Sequence, residues 1–404
     1  MKKAASSAFA FFLPFFGDFM LGIEFLALPI RAYQLGANSV EIGLLGGLSS
    51  ALYSFMPLFA GRLGDRVGKK LPIRAFLFGY PLITLSYFIT RSLYVMMMVR
   101  LLEGIAWAFY WPSLEALSAS LGGRKAIRNY NLSWSLGALL GPVAGGLAIS
   151  ALSAKGTFLV MAVATIALAA ASLLLMPPEG QPKKEKEESP IEVDPIYLVA
   201  VFAVGFSVTG FLSYFPVLAT RMGVSPPLIG AFEGNLSFWR IFALFAAGSA
   251  LERVEGQKRT FVLLSSVAVF LIPAAVAFGV PIWWVVTSLL GFISGMGYGI
   301  SIHTILESAG ARGKRAGVFE STMGIGSLLG PMAMGYISSL LFSGPYGPFL
   351  AMGISVIPLC AGIAILKRSG TKLKIRGEKQ SVATALWFRN LASVTEGPRF
   401  EIVF

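Results

Sequence analysis

The sequence predicts an all-α integral membrane protein of twelve transmembrane helices in two six-helix pseudo-repeats. Composition, the rhythm of the apolar runs and an internal repeat each point that way. Hydrophobic residues make up 55% of the 404-residue chain and charged residues only 13%, where a soluble domain carries roughly 25% charge. A helix crosses the hydrocarbon core with about 20 mostly apolar residues, so a chain of this length with short loops holds about a dozen spans. The Lys and Arg behind the net charge of +13 lie between apolar runs and share no water-facing surface, which argues against a nucleic-acid partner. Cys360 is the single cysteine and His303 the single histidine, so no intrachain disulfide, thiolate cluster or HExxH zinc motif can form. No metal or cofactor is expected. The chain has no GxxxxGK[ST] phosphate loop and no enzyme-like constellation, which argues against a pump or an enzyme.

Apolar runs between charged or Pro/Gly-rich breaks place spans near 8–32, 39–60, 71–90, 93–119, 130–152 and 156–176,. A second set falls near 195–218, 227–250, 259–279, 282–307, 315–342 and 346–366. Lys2 and Lys3 open the chain like a signal peptide, but no small-residue cleavage site follows a short core, so this segment is expected to remain as the first span. Between the sets, PPEGQPKKEKEESPIEVD is too charged and proline-rich for lipid. The expected domains are a six-helix bundle over 1–176, a cytoplasmic linker over 177–194, a second bundle over 195–366 and a cytoplasmic tail over 367–404. The tail is basic at first, as for a segment that lies on an anionic leaflet or stays disordered.

Charge sets the orientation. Of 33 Lys and Arg, four (Arg31, Arg91, Lys155, Arg221) fall in odd-numbered connections and two (Arg100, Arg240) within spans, leaving 27 for the other side. By the positive-inside rule both termini are expected in the cytoplasm. A multi-pass protein of the plasma membrane follows.

The halves repeat. PIRAYQLGANSVEIG at Pro29 returns as PVLATRMGVSPPLIG at Pro216, and Gly61, Asp65 and Arg66 return at the same offset as Gly248, Glu252 and Arg253. LGALLGPVAGG around Gly141 returns at nearly that offset as IGSLLGPMAMG around Gly330. A spacing so nearly constant at separate places implies six plus six helices in parallel repeat.

Three motifs carry chemistry. Between spans two and three stands GRLGDRVGKK, with Gly61, Asp65, Arg66, Gly68, Lys69 and Lys70. Its glycines allow a tight turn and close helix approach, and its carboxylate can meet backbone donors or a basic partner at a helix end. The segment resembles the loop signature of the major facilitator superfamily, which implies a gating loop that stabilises one closed state; a basic turn that only sets topology is the plainer reading. Span four holds Arg100, Glu103 and Gly104, similar to the family's fourth-helix arginine signature, with Glu103 where glutamine is common. An arginine inside a span needs a polar interior, and Glu103 at i+3 lies on its face to pair with it. Trp107 and Trp111 extend that face and suit a planar or cationic ligand, although such stripes often only pack. Span five holds Gly137, Gly141, Pro142 and Gly145 and resembles the signature of the family's drug antiporters; its small residues let helices approach closely.

Other charges at depth are functional candidates by default. Asp18 and Glu24 stand six residues apart on different faces of span one, as candidates for proton coupling together with Glu103 and Glu233. Glu233 and Arg240, seven apart on one face of span eight, are expected to pair or to answer Arg100 and Glu103. Glu115, His303, Glu307 and Glu320 lie toward the cytoplasmic ends; solvated or gating roles fit the three glutamates, and His303 reads as a satisfied polar residue, with a proton site as the alternative. The expected substrate cavity is Arg100, Glu103, Trp107, Trp111, Glu233 and Arg240.

The resemblance covers both halves and leaves out the linker and the tail. It implies proton-coupled efflux of small amphipathic or cationic compounds by alternating access, from a protein whose partners are substrate, protons and the lipid bilayer, as a monomer. The alternatives are proton-coupled uptake of a metabolite or organic anion, and a membrane receptor or assembly subunit that transports nothing.

Overall fold

The computed structural model describes residues 2–56, 68–121, 123–177, 191–253, 255–307, 312–369, 373–376 and 401–403. The first half holds α1 (Lys2–Gln34), α2 (Ser39–Tyr53), α3 (Lys70–Ile89) and α4 (Leu93–Ser120). A helical run over Gly123–Leu175 follows, broken at Ser153 by a positive φ of 70° that a helix cannot hold,. The break divides the run into α5 (123–152) and α6 (154–175), and the Ser153 hydroxyl accepts from the Gly156 amide at 3.2 Å to start the second.

The second half holds α7 (Pro195–Arg221), α8 (Pro226–Arg253) and α9 (Lys258–Leu271), which runs on through a 3-10 segment to Phe278. After these come α10 (Val280–Glu307), α11 (Arg312–Leu341) and α12 (Gly347–Ile354 and Val356–Ser369). Nine helices among the described residues are long and apolar enough to cross a membrane, with the run from 128 to 175 counted as one. Its division at Ser153, with α2 and α8, brings the spans to twelve.

Local chemistry starts and stops these helices. Asn38 opens α2 with a capping box: its side chain accepts from the Glu41 amide at 3.0 Å while Glu41 accepts from the Asn38 amide at 2.9 Å,. Asp194 caps α7 by accepting from the Ile196 amide at 3.1 Å, with Pro195 pre-set in the first turn,. The turns after α1 and α7 are built on Gly36 (φ 87°) and Gly223 (φ 74°), which stand in register in the repeat. Both need a backbone conformation that residues with a Cβ rarely adopt.

The repeat extends to packing. Gly141 of α5 lies on the Phe19 carbonyl of α1, and Gly330 of α11 lies on the Phe206 carbonyl of α7. Gly104 of α4 meets the Ser49 carbonyl of α2, and Gly291 of α10 meets the Leu236 carbonyl of α8. In both helix pairs a side chain at the glycine would strike backbone, so the small residue sets the interhelical distance.

The two halves interlock at the face opposite the linker. There Gly43 and Gly46 of α2 press against Pro331 of α11 and Ser213 of α7, and Gly146 of α5 presses against Pro226 of α8. The Tyr214 hydroxyl of α7 lies 2.6 Å from the Ser39 carbonyl and 3.0 Å from the Pro331 carbonyl, tying three helices.

At the linker face three short strands form a small sheet in the order β1 (Ile191–Val193), β2 (Leu373–Arg376), β3 (Glu401–Val403). β1 pairs antiparallel with β2, and β2 pairs parallel with β3. The end of the expected linker is thus joined to the tail, which charge and proline content alone do not foretell.

Candidate functional site

Among the described residues the densest polar cluster belongs to the first half alone. Arg100 projects from α4 with its Nε donating to the Leu45 carbonyl of α2 at 3.1 Å. Its Nη1 donates to Glu103 at 2.8 Å and to Glu24 of α1, forming ion pairs with both. The i, i+3 pair expected from sequence is present, joined by a third member from another helix. Tyr80 and Tyr87, two turns apart on α3, donate to Glu24 at 2.8 Å and to Glu103 at 2.7 Å. The Trp107 indole, a turn past Glu103, donates to its other oxygen at 2.9 Å. Arg100, Glu103 and Glu24 are each at most 2% exposed.

Burying charges is favourable only when partners and hydrogen bonds compensate. Here each carboxylate oxygen has at least one donor. Trp107 also packs against Phe76 and Tyr80, with ring centroids 4.4 and 5.2 Å away, and stacks on Trp111 at 5.8 Å. Tyr80 and Tyr87 were not among the sequence candidates. Their spacing of seven on one face of a span is the signal that would have found them.

The expected cavity lining therefore divides. Arg100, Glu103, Trp107 and Glu233 are buried, whereas Trp111 and Arg240 are partly exposed. A small cleft reaches the network, lined by Glu24, Pro29, Ile42, Leu45 and Arg100 of the first half and by Ser213 of the second.

The second half corrects one expectation. Glu233 does not pair with Arg240: it is fully buried and neither of its oxygens has a hydrogen-bond partner. Arg240 instead lies over the Tyr298 ring, 5.9 Å from its centroid, and its charge reaches Asp18 of α1. Seven residues is two helical turns, about 10 Å along the axis, so a shared face did not bring the two charges together. Asp18 and Glu24 do part company as expected: Glu24 joins Arg100, while Asp18 sits against Gly137 of α5.

Gly137, Gly141, Gly145 and the Pro142 ring pack α5 on α1 within the first half, while the Pro142 carbonyl and Gly146 face α8 of the second. In the loop between α2 and α3, Gly61, Asp65 and Arg66 lie outside the described residues, as does the side chain of Glu307. Gly68 turns with φ 86°, Lys69 stands at the cap of α3 and Lys70 begins that helix.

Two parallel six-helix bundles that interlock at one face, with charged groups sealed inside, make a membrane carrier of the alternating-repeat type rather than an enzyme. The chain belongs to the Major Facilitator Superfamily, whose model matches residues 7–312, and it is a transporter. It is 24% identical over 392 residues to the quinolone resistance protein NorA of Staphylococcus aureus, covering 91% of this chain and 97% of that protein. It is 31% identical over 153 residues, 36% of this chain and 39% of the relative, to an uncharacterized MFS-type transporter, MJ1560, of Methanocaldococcus jannaschii. Among solved structures, the nucleoside transporter NupG superposes with a TM-score of 0.73 at 15% identity, over 90% of this chain and 99% of that one. A bacterial homologue of the human lysosomal transporter Spinster, solved inward-facing and unoccupied, gives 0.73 at 16% identity, over 90% and 96%.

Proposed function

We propose that this transporter couples proton movement to the efflux of small amphipathic or cationic compounds, with the Glu24–Arg100–Glu103 network as its proton-coupling element. The observation that carries this reading is a charge imbalance in a sealed place. Two carboxylates share one guanidinium, so with all three ionised the network holds one negative charge too many, and taking up one proton removes it. Glu24 sits on α1 and beside the cleft between the halves, so its protonation can be felt where the halves move.

The substrate class has its own support. Half-exposed Trp111 and the carboxylates near it suit amphipathic cations, and a relative matched along nearly its whole length is named for quinolone resistance. The charge asymmetry of the loops supports a plasma-membrane protein with both termini in the cytoplasm, and the gating role of residues 61–70 and the action of a single protomer belong to the same reading.

The test is flux in proteoliposomes under an imposed pH gradient, with tetraphenylphosphonium and a fluorescent quinolone as probes. Wild type is expected to move at least one probe against the proton gradient, Glu24→Gln to lose coupling and Asp18→Asn to keep it. Loss of coupling in Asp18→Asn alone would move the proton site to Asp18. Inward movement of a metabolite with protons, and no movement of either probe, would overturn efflux in favour of uptake.

A further inference from the structure

The cleft beside the ion-pair network draws polar groups from both halves. Glu24, Phe25 and Pro29 of α1, Gly46 of α2, Arg100 of α4 and Ser213 of α7 take part in its lining. The space within it is about 10 Å³, enough for one water molecule. Each oxygen of Glu24 has one donor, from Arg100 or from Tyr80, and a carboxylate oxygen can accept a second. The Nη2 of Arg100 makes no hydrogen bond among the described residues, while its Nε and Nη1 are taken up by Leu45, Glu24 and Glu103. Pro29 has no N–H to give the Phe25 carbonyl one turn earlier, so α1 lacks a backbone hydrogen bond where it borders the cleft.

Ser213 is the second half's contribution. It is buried and pressed against Gly46, the residue after the Leu45 whose carbonyl holds Arg100. Its hydroxyl donates to the Thr209 carbonyl at 2.7 Å, so what Oγ offers the cleft is an acceptor. A water placed there can accept from Arg100 Nη2 and donate to Glu24 and to Ser213 Oγ. Three hydrogen bonds are about what a buried water makes.

We propose that Ser213 is a positioning residue of the proton site: one water in the cleft bridges it to Glu24 and Arg100, so the network receives its last hydrogen bonds from the second half only while the halves are interlocked at this face. A bridge of this kind is nearly as favourable as a direct hydrogen bond, at a small cost in entropy. Parting the halves withdraws Ser213 and breaks the bridge, which ties the hydrogen bonding of Glu24 to the position of α7. The neighbouring contacts across this face, Tyr214 on Ser39 and Gly43 on Pro331, close on backbone and do not touch the network. This role of Ser213 rests on the reading of the Glu24–Arg100–Glu103 network as the coupling element and adds the residue that links it to the second half.

The first measurement is a crystal structure of the parent protein in a lipid mesophase, at a resolution that shows ordered water. One peak is expected within hydrogen-bond reach of Arg100 Nη2, the Glu24 carboxylate and Ser213 Oγ. No peak, or a peak held by one half alone, overturns the bridge. The second measurement reads conformation by pulsed electron paramagnetic resonance in nanodiscs, with spin labels at Gln34→Cys and Ser343→Cys in a Cys360→Ser background. These positions are exposed, one on each half, at the interlocked face. Ser213→Ala is expected to lower the fraction at the short distance and Ser213→Thr to keep it. In a Glu24→Leu background, where the far end of the bridge is gone, Ser213→Ala is expected to have a smaller effect. An equal effect in both backgrounds means that Ser213 only packs on Gly46 and overturns its role, and so does no effect in the parent. Neither measurement involves flux, so a bridge found in a protein that moves neither flux probe leaves the role of Ser213 standing and removes the cationic-substrate reading instead.

Discussion

The same backbone contact occurs twice in this molecule with different chemistry beside it. Gly104 meets Ser49 in the first half and Gly291 meets Leu236 in the second, and the two pairs stand in register in the repeat. Around the first lie Arg100, Glu103 and Glu24; the positions in register around the second are Thr287, Leu290 and Phe211. There an aromatic cluster fills the space, with Phe211 stacked on Phe215 at 4.8 Å and Phe215 edge-on to Trp283 at 5.1 Å. Helix spacing is thus shared between the halves because glycine dictates how near two backbones come, while among the described residues the buried ion-pair network is confined to one half. A carrier whose halves move against each other needs matching scaffolds for the movement.

Removing the charge at the centre of this contrast gives the largest expected effect. Arg100→Ala leaves two carboxylates buried without their cation and is expected to cost about 3–5 kcal/mol. Thr287→Ala, in register in the other half, loses a hydroxyl hydrogen-bonded to the Trp283 carbonyl and to Asn235 and is expected to cost about 1 kcal/mol. Thermal unfolding in detergent compares them, and equal losses would remove the asymmetry.

The scaffold comparison comes next. Gly141→Leu and Gly330→Leu both drive a side chain into a facing carbonyl and are each expected to cost about 1–3 kcal/mol, by similar amounts. If one is tolerated and the other prevents folding, the packing equivalence of the halves fails. The smallest effect is expected at Glu233. With no partner to lose, Glu233→Gln should leave stability within about 0.5 kcal/mol of the parent or raise it, whereas Glu24→Gln, which disrupts an ion pair and a tyrosine contact, should lower it. A clear loss in Glu233→Gln would reveal a partner taken up in another conformation.

Some of the site was legible along the chain. Arg100 and Glu103 pair as i, i+3 neighbours because one helix face is a local property. The same rule failed for Glu233 and Arg240, where a common face left the charges two turns apart. Tyr80 and Tyr87 went unnoticed because a tyrosine in a span is as often packing as donor, and only the neighbouring helix shows which.

What the sequence by itself determined is the number of spans, their grouping in two sets and the register of the repeat. Apolar run length, caps such as Asn38 and Asp194, and glycine spacing act over a few residues and are written where they act. Which carboxylate of α1 meets Arg100 was decided by tertiary structure alone. Glu24 and Arg100 stand 76 residues apart, and the rotation of α1 that brings Glu24 inward and turns Asp18 toward Gly137 and Arg240 is set by packing against α5, which no local pattern records.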